Sequence, residues 1–134
     1  MIRSFLLLLT VIASLSSYAC KCATLSFSDE VKQADLVFTG TVLSKTMGDK
    51  VNYLFTISTT FKGSSADTLT IQTGFGGGDC GMLFEEGKTY LVYANNKGTN
   101  SCRRNALAAN NADISRLKYL FDSSFSRDIG KAPG

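Results

Sequence analysis

The chain has 134 residues, a formal net charge of +3 and four cysteines, but no histidine. That length leaves room for one domain. The lack of imidazole excludes Ser-His and Cys-His catalysis and every zinc site that needs histidine. With no basic run beyond Arg103-Arg104, the mild charge gives no support to a nucleic-acid or membrane-surface role.

Residues 1–19 read as a signal peptide. Arg3 supplies the positive start, residues 5–9 and 11–13 the apolar run, and Ser17 and Ala19 the small residues at −3 and −1. The run is too short to span a bilayer, and no later segment approaches the roughly 20 apolar residues needed. Cleavage after Ala19 makes Cys20 the mature N-terminus of a secreted protein, extracellular or periplasmic. The domain is expected over residues 20–121.

Its first element is a short helix over 26–34. Ser26 is placed to cap it, Asp29 and Glu30 suit its first turn, and Phe27, Val31 and Ala34 share a face. From Leu36 the period becomes two, giving a strand over 36–44 and a turn over 47–50. A second strand over 51–61 puts Tyr53, Phe55 and Ile57 on one side. After a turn over 62–65, a third strand over 68–73 points Leu69 and Ile71 inward. A glycine-rich loop over 74–81 carries Cys80, and a fourth strand follows over 88–94. Asn95-Asn96-Lys97-Gly98 is a hairpin turn, and a short fifth strand is expected through Cys102. Ala112, Ile114, Leu117, Leu120 and Phe121 fit a closing amphipathic helix capped by Asn110 or Asn111. Residues 122–134 read as a polar, loose tail. Five strands are too few for a typical sandwich. The expected fold is therefore mainly β: a five-stranded OB-type Greek-key barrel with a short N-terminal helix and a C-terminal helix.

Cys20, Cys22, Cys80 and Cys102 in a short exported chain read as a framework of two disulfides. A Cys20–Cys22 bond would close a strained ring, so each of this pair is expected to reach Cys80 or Cys102. Either way the closed loops span about 60 to 80 residues, each bond contributing roughly 4 kcal/mol by chain entropy. Gly76, Gly78 and Gly81 spell G-x-G-x-x-G, but no helix follows to aim amides at a phosphate. The loop reads instead as one that lets Cys80 approach its partner. Cys20-Lys21-Cys22 as a redox site lacks the βαβ context of thioredoxin-like proteins. Asp79, Glu85, Glu86, Arg103 and Arg104 read as solvated charges. No enzymatic activity and no cofactor is expected.

A mature chain that starts at Cys20 exposes one further chemical group. The neutral α-amine and the carbonyl oxygen of one residue chelate a metal through a five-membered ring. A catalytic zinc with three protein ligands keeps a position open for water, which such a pair can displace.

These residues resemble the tissue inhibitors of metalloproteinases and the wider netrin-like domains. Cys20-Lys21-Cys22 looks like their N-terminal C-x-C, and Ala34-Asp35-Leu36-Val37-Phe38 with Gly40 like their first strand. Phe61-Lys62-Gly63 resembles their Phe-Lys-Gly turn, Asp79-Cys80-Gly81 their Cys-Gly, and Gly87-Lys88-Thr89-Tyr90-Leu91 their Gly-Lys-x-Tyr-Leu strand. The likeness covers nearly all of the chain after Ala19. It implies an OB-type barrel, the pairings Cys20–Cys80 and Cys22–Cys102, and inhibition of a zinc metalloprotease. The amine and carbonyl of Cys20 would sit on the target's zinc, with Lys21 at its S1′ pocket. Cys22, Ala23, Thr24 and Leu25, with Gly78, Asp79, Cys80 and Gly81, would fill the rest of the cleft. The chain departs from the family at Lys21, where Ser or Thr is usual, and at Ala23-Thr24-Leu25, where a proline is usual. Lys32 stands where animal members have a cysteine of a third disulfide.

The inhibitor is expected to act as a monomer. Two other readings compete with it: a non-inhibitory netrin-type binding module, and a lipoprotein anchored through Cys20. In the latter, Ser17 replaces the usual Leu at −3, and acylation would consume both the thiol and the amine. The intact mass of the exported, unreduced protein separates these. It is expected to match an unmodified chain starting at Cys20, lighter than the all-thiol form by the hydrogens lost in two disulfides. A lipid adduct or a retained Ala19 would remove the chelating group.

Overall fold

A computed structural model describes residues 20–129, with side chains to Asp122. Residues 1–19, where the signal peptide is expected, and 130–134 lie outside the described residues. The chain runs through α1 (Phe27–Gln33), β1 (Leu36–Met47), β2 (Val51–Lys62) and β3 (Thr68–Thr73). A 3-10 turn at Gly77–Asp79 leads to β4 (Thr89–Ala94), β5 (Ala106–Leu107) and α2 (Ala112–Ile129). The fold is mainly β: one five-stranded antiparallel sheet, ordered β3-β2-β1-β4-β5, with two helices.

β1 is central because both of its faces are apolar. Leu36, Phe38 and Val42 join Val51, Tyr53, Phe55, Ile71, Phe84, Tyr90, Val92 and Ala94 in the larger core. Val37 points the other way, to Leu91, Tyr93, Val31, Ala34 and Leu117, where α1 and α2 cover the sheet. Three register shifts along β1 against β2 bend the strand and increase its twist. At Gly40 a Cβ would lie 2.8 Å from the Thr56 carbonyl oxygen, so the strands meet there only without a side chain. Phe84 sits edge-on to Tyr53, Phe55 and Tyr90, with centroids 4.9 to 5.2 Å apart. It thereby ties the chain after the glycine loop into the core.

The sheet is not closed by strand pairing between β3 and β5. Its β3 edge is met by the turn after β4. The Gln72 amide donates to the Lys97 carbonyl (2.8 Å), and the Thr99 amide donates to the Gln72 carbonyl (2.9 Å). In that turn Asn96 and Lys97 both have positive φ (48° and 60°), and Asn95 and Gly98 exchange both backbone hydrogen bonds (2.9 and 2.8 Å). This is the two-residue geometry expected of the hairpin signal.

The elements depart from the sequence reading in three places. The fifth strand lies at Ala106–Leu107, and Cys102 sits before it in a turn. The turn is held by the Cys102 amide donating to Asn100 Oδ1 (2.9 Å). A strand through Cys102 would point Arg103 and Arg104 to opposite faces, whereas both turn toward carboxylates under the helices. The second departure is the extent of β1 and β2, which continue to Met47 and Lys62. The end of β1 is exposed, yet it pairs with the start of β2, where Val51 and Tyr53 belong to the larger core, because backbone pairing needs no burial of both partners. Third, α2 continues to Ile129, past the expected boundary at Asp122. Extending a nucleated helix costs little even where the sequence turns polar. Within α2, Leu117 is buried and Ile114 and Phe121 are partly so, while Leu120 is 40% exposed.

Because Phe38 is fully buried against Phe55 at the centre of the larger core, Phe38→Ala is expected to cost about 3–5 kcal/mol. Thermal or denaturant unfolding of the oxidised protein reads this directly. A loss within that of a surface substitution would show that the core does not centre on β1.

Candidate functional site

The first described segment has little regular backbone structure of its own. Cys20 is half-buried, Lys21, Cys22, Ala23 and Thr24 are exposed, and Leu25 is half-buried. Cross-links hold it in place. Cys20 is bonded to Cys80 and Cys22 to Cys102, with Cα–Cα distances of 5.2 and 5.0 Å. Both distances fall inside the ordinary range for a disulfide. At the far end of the segment, the Leu25 carbonyl accepts a hydrogen bond from Arg104 Nη1 (3.3 Å). The strip from Cys20 to Leu25 is thus pinned at three points and outward-facing between them.

The loop that supplies Cys80 is organised around one carboxylate. Asp79 accepts from the amides of Phe75 (2.6 Å), Gly76 (2.9 Å) and Gly81 (3.0 Å). Those bonds, first that from Phe75 and then that from Gly81, hold its pKa below the ordinary 3.8. At Gly81 a Cβ would come within 2.3 Å of the Gly74 and Gly76 backbone, so only glycine permits this approach. The G-x-G-x-x-G spelling is thereby explained without a phosphate, since three of the loop's amides are already taken by Asp79. Asp79 is exposed but is not the free solvated charge of the sequence reading. Cys80 follows in the left-handed region, at φ 58°. Its carbonyl accepts from the Ser101 amide (2.8 Å), which brings the two cystine-bearing turns side by side. Gly78 lies exposed on the 3-10 turn. Residues 20–25 and 78–81, expected to act together, are therefore joined through the Cys20–Cys80 bond.

A buried ionic layer supports this surface. Glu30 is fully buried, accepting from Arg103 Nε and from the Arg104 amide (3.1 Å). Arg103 Nη2 lies against the same Glu30 oxygen in ion-pair contact, without hydrogen-bond alignment. Arg104 Nε and Nη2 hold Asp113 at 2.8 and 2.9 Å, a bidentate pair. Tyr93 Oη donates to the same Asp113 carboxylate (3.2 Å). Burial works against the charged Asp113, but the Arg104 bonds and charge outweigh it and its pKa falls below 3.8. The Tyr93 hydroxyl is pushed far up, first by burial and then by the Asp113 charge.

This layer corrects the reading of Arg103 and Arg104 as solvated charges. The two arginines are the struts between α1, α2 and the Cys102 turn. Glu30 was visible in the sequence only as an acidic residue in a helix first turn, and Asp113 did not stand out at all. A partner 73 residues away leaves no trace in local spacing.

Beside the site lies an open polar cleft of about 560 Å³, between Asp49 and Lys50 of the β1–β2 turn and Asn95, Asn100 and Arg103. No residue of the 20–25 strip lines it. Phe75 (50% exposed) and Leu83 (60% exposed) flank the glycine loop as apolar side chains in solvent. No helix among the described residues is long and apolar enough to cross a membrane. No protein-family model matches the sequence, and no curated protein matches it.

Two outcomes follow. Arg103→Ala strands the buried Glu30 carboxylate and is expected to cost about 3–5 kcal/mol in unfolding experiments. Asp79 titrates lower in the folded state, so its support of the loop is complete above about pH 3.8. That support is lost as pH falls through the lower, folded value. The protection factors of the Phe75, Gly76 and Gly81 amides should fall over that acid range in the wild type, and be low already at neutral pH in Asp79→Ala. Equal protection in both proteins would show that the carboxylate does not hold the loop.

Proposed function

We propose that this chain is a secreted inhibitor of zinc metalloendopeptidases, related to the tissue inhibitors of metalloproteinases and built on an OB-type barrel. The barrel reading is supported by β1 pairing with both β2 and β4 and by the hydrogen bonds that bring the 97–99 turn to the β3 edge. The inhibitor reading rests on one observation: Cys20 and Cys22 are each tied to a different, structurally anchored turn, with the residues between and after them exposed.

Once residues 1–19 are removed, such a terminus has the properties a zinc chelator needs. Its amine and carbonyl belong to one residue and close a five-membered ring on a metal. Its backbone is immobilised before binding, which lowers the entropic cost of association. The zinc of the target, with three protein ligands and a displaceable water, supplies the matching vacancy. Lys21 then points into the adjacent subsite, where its ammonium needs water or an acidic partner in place of an apolar floor. The strip from Cys22 to Leu25 and the turn from Gly78 to Gly81 cover the cleft to either side. Phe75 and Leu83 add exposed apolar surface at the glycine loop that carries Cys80.

The free amine is the element to test. A chain starting at Cys20 is expected to inhibit a zinc endopeptidase that accepts a basic residue at S1′. One added alanine ahead of Cys20 is expected to abolish inhibition while leaving the unfolding midpoint unchanged. Only the neutral amine chelates, so potency should rise as pH climbs through about 7.7–8.0, the reference range for an α-amine. Equal potency with and without the alanine would contradict the chelation mechanism and favour the non-inhibitory binding module.

A further inference from the structure

The two disulfides lie against each other. Cys20 Sγ is 3.6 Å from Cys102 Sγ and 3.9 Å from Cys22 Sγ, although it is bonded to neither. The sulfurs of Cys20, Cys22 and Cys102 all lie within 4.8 Å of one another, and Cys80 is bonded to Cys20. Four sulfurs therefore meet in one place, drawn from the C-x-C segment and from two separate turns.

A tetrahedral zinc with four thiolates at about 2.3 Å requires sulfurs roughly 3.8 Å apart. Cys20 Sγ already stands at that spacing from Cys22 and Cys102. Cys80, bonded to Cys20, would have to shift to complete the tetrahedron. The frame that places Cys80 beside Cys102 does not itself consist of disulfides. It is the Ser101 amide on the Cys80 carbonyl, the Asp79 hub and the Asn100 cap on Cys102. Two ligands are thus held by hydrogen bonds, and the exposed C-x-C segment brings the other two.

We propose that the reduced form of this protein binds one zinc ion, or a similar soft divalent cation, through Cys20, Cys22, Cys80 and Cys102. A dithiol reductant delivers two electrons and two protons to each cystine, leaving four thiols, and is itself oxidised to its disulfide. The zinc then replaces four thiol protons, which pass to buffer, and forms four zinc–sulfur bonds. The resulting site carries a net charge of −2, and Lys21 lies between two of its ligands. Metal and disulfides are mutually exclusive, since each consumes the same sulfurs. One four-way metal node would replace two cross-links and restore the loop closure lost on reduction. This site does not rest on the inhibitor reading, because it uses the thiols and leaves the α-amine aside.

The test titrates Co²⁺, then Zn²⁺, into the exported chain, fully reduced with a phosphine under nitrogen, while absorbance and far- and near-ultraviolet circular dichroism are recorded. The expected result is one equivalent of Co²⁺ with intense sulfur-to-cobalt charge transfer and the visible bands of a tetrahedral site, displaced by Zn²⁺. The sheet and aromatic signals of the oxidised protein should return with the metal, and the oxidised protein itself should show no sulfur-to-cobalt charge transfer. Cys22→Ser and Cys80→Ser should each weaken binding by more than the roughly 10–100-fold that loss of a supporting outer group costs. Three outcomes overturn the proposal: no cobalt spectrum, an octahedral spectrum, or cobalt held by a chain that stays unfolded. In the last case the thiols bind but the fold does not supply the site.

Discussion

An exposed segment with almost no secondary structure holds a defined path only if something outside it supplies the constraint. In this protein the constraint is the crossing of two disulfides from neighbouring cysteines to two different turns. If Cys20 and Cys22 were bonded to each other, Lys21 would sit on a small ring free to swing on its tether. With each bonded to a separate anchor, the backbone between them is fixed at both ends. Everything proposed for the terminus, from the chelating amine to the placement of Lys21, depends on that difference.

The anchors are held in turn by charge. The Cys80 turn is built around the Asp79 carboxylate and three amides. The Cys102 turn is pulled inward by Arg103 on buried Glu30 and by Arg104 on Asp113. Burying ion pairs is costly to begin with, and these are retained under two helices that already cover one face of the sheet. What they add is position. Arg104 touches Asp113 of α2 and the Leu25 carbonyl of the exposed 20–25 strip, so one side chain sets a helix, a turn and that segment in register.

The regular elements were legible in the sequence because their signals are local. Ser26 with Asp29 marked the start of α1, and its hydroxyl does accept from the Asp29 amide (3.2 Å). The alternation through Tyr53 and Phe55 marked the buried side of β2, and Asn96-Lys97 marked a hairpin. The fifth strand was misplaced because Cys102 stands in a stretch with weak alternation, and its position is decided by Glu30, 73 residues from Arg103, and by Asp113 on the following helix. The ionic layer stayed hidden because two adjacent arginines look solvated until their partners fold over them. The cysteine pairing lay between these cases. Ring strain argued against Cys20–Cys22, but the choice between Cys80 and Cys102 rested on family resemblance alone. Asp79 and Gly81 stood out as residue types, and their joint task of closing the loop needed coordinates to be seen.

The most direct test of this account is the disulfide map of the natively produced protein, obtained by digestion without reduction. Cleavage after Lys21 separates Cys20 from Cys22, and cleavage after Lys88 or Lys97 separates Cys80 from Cys102, so mass spectrometry assigns each bond unambiguously. The account predicts a Cys20 fragment joined to the Cys80 peptide and a Cys22 fragment joined to the Cys102 peptide. A Cys20–Cys22 bond, or Cys20 joined to Cys102, would leave the 20–25 strip on different anchors and contradict the central claim.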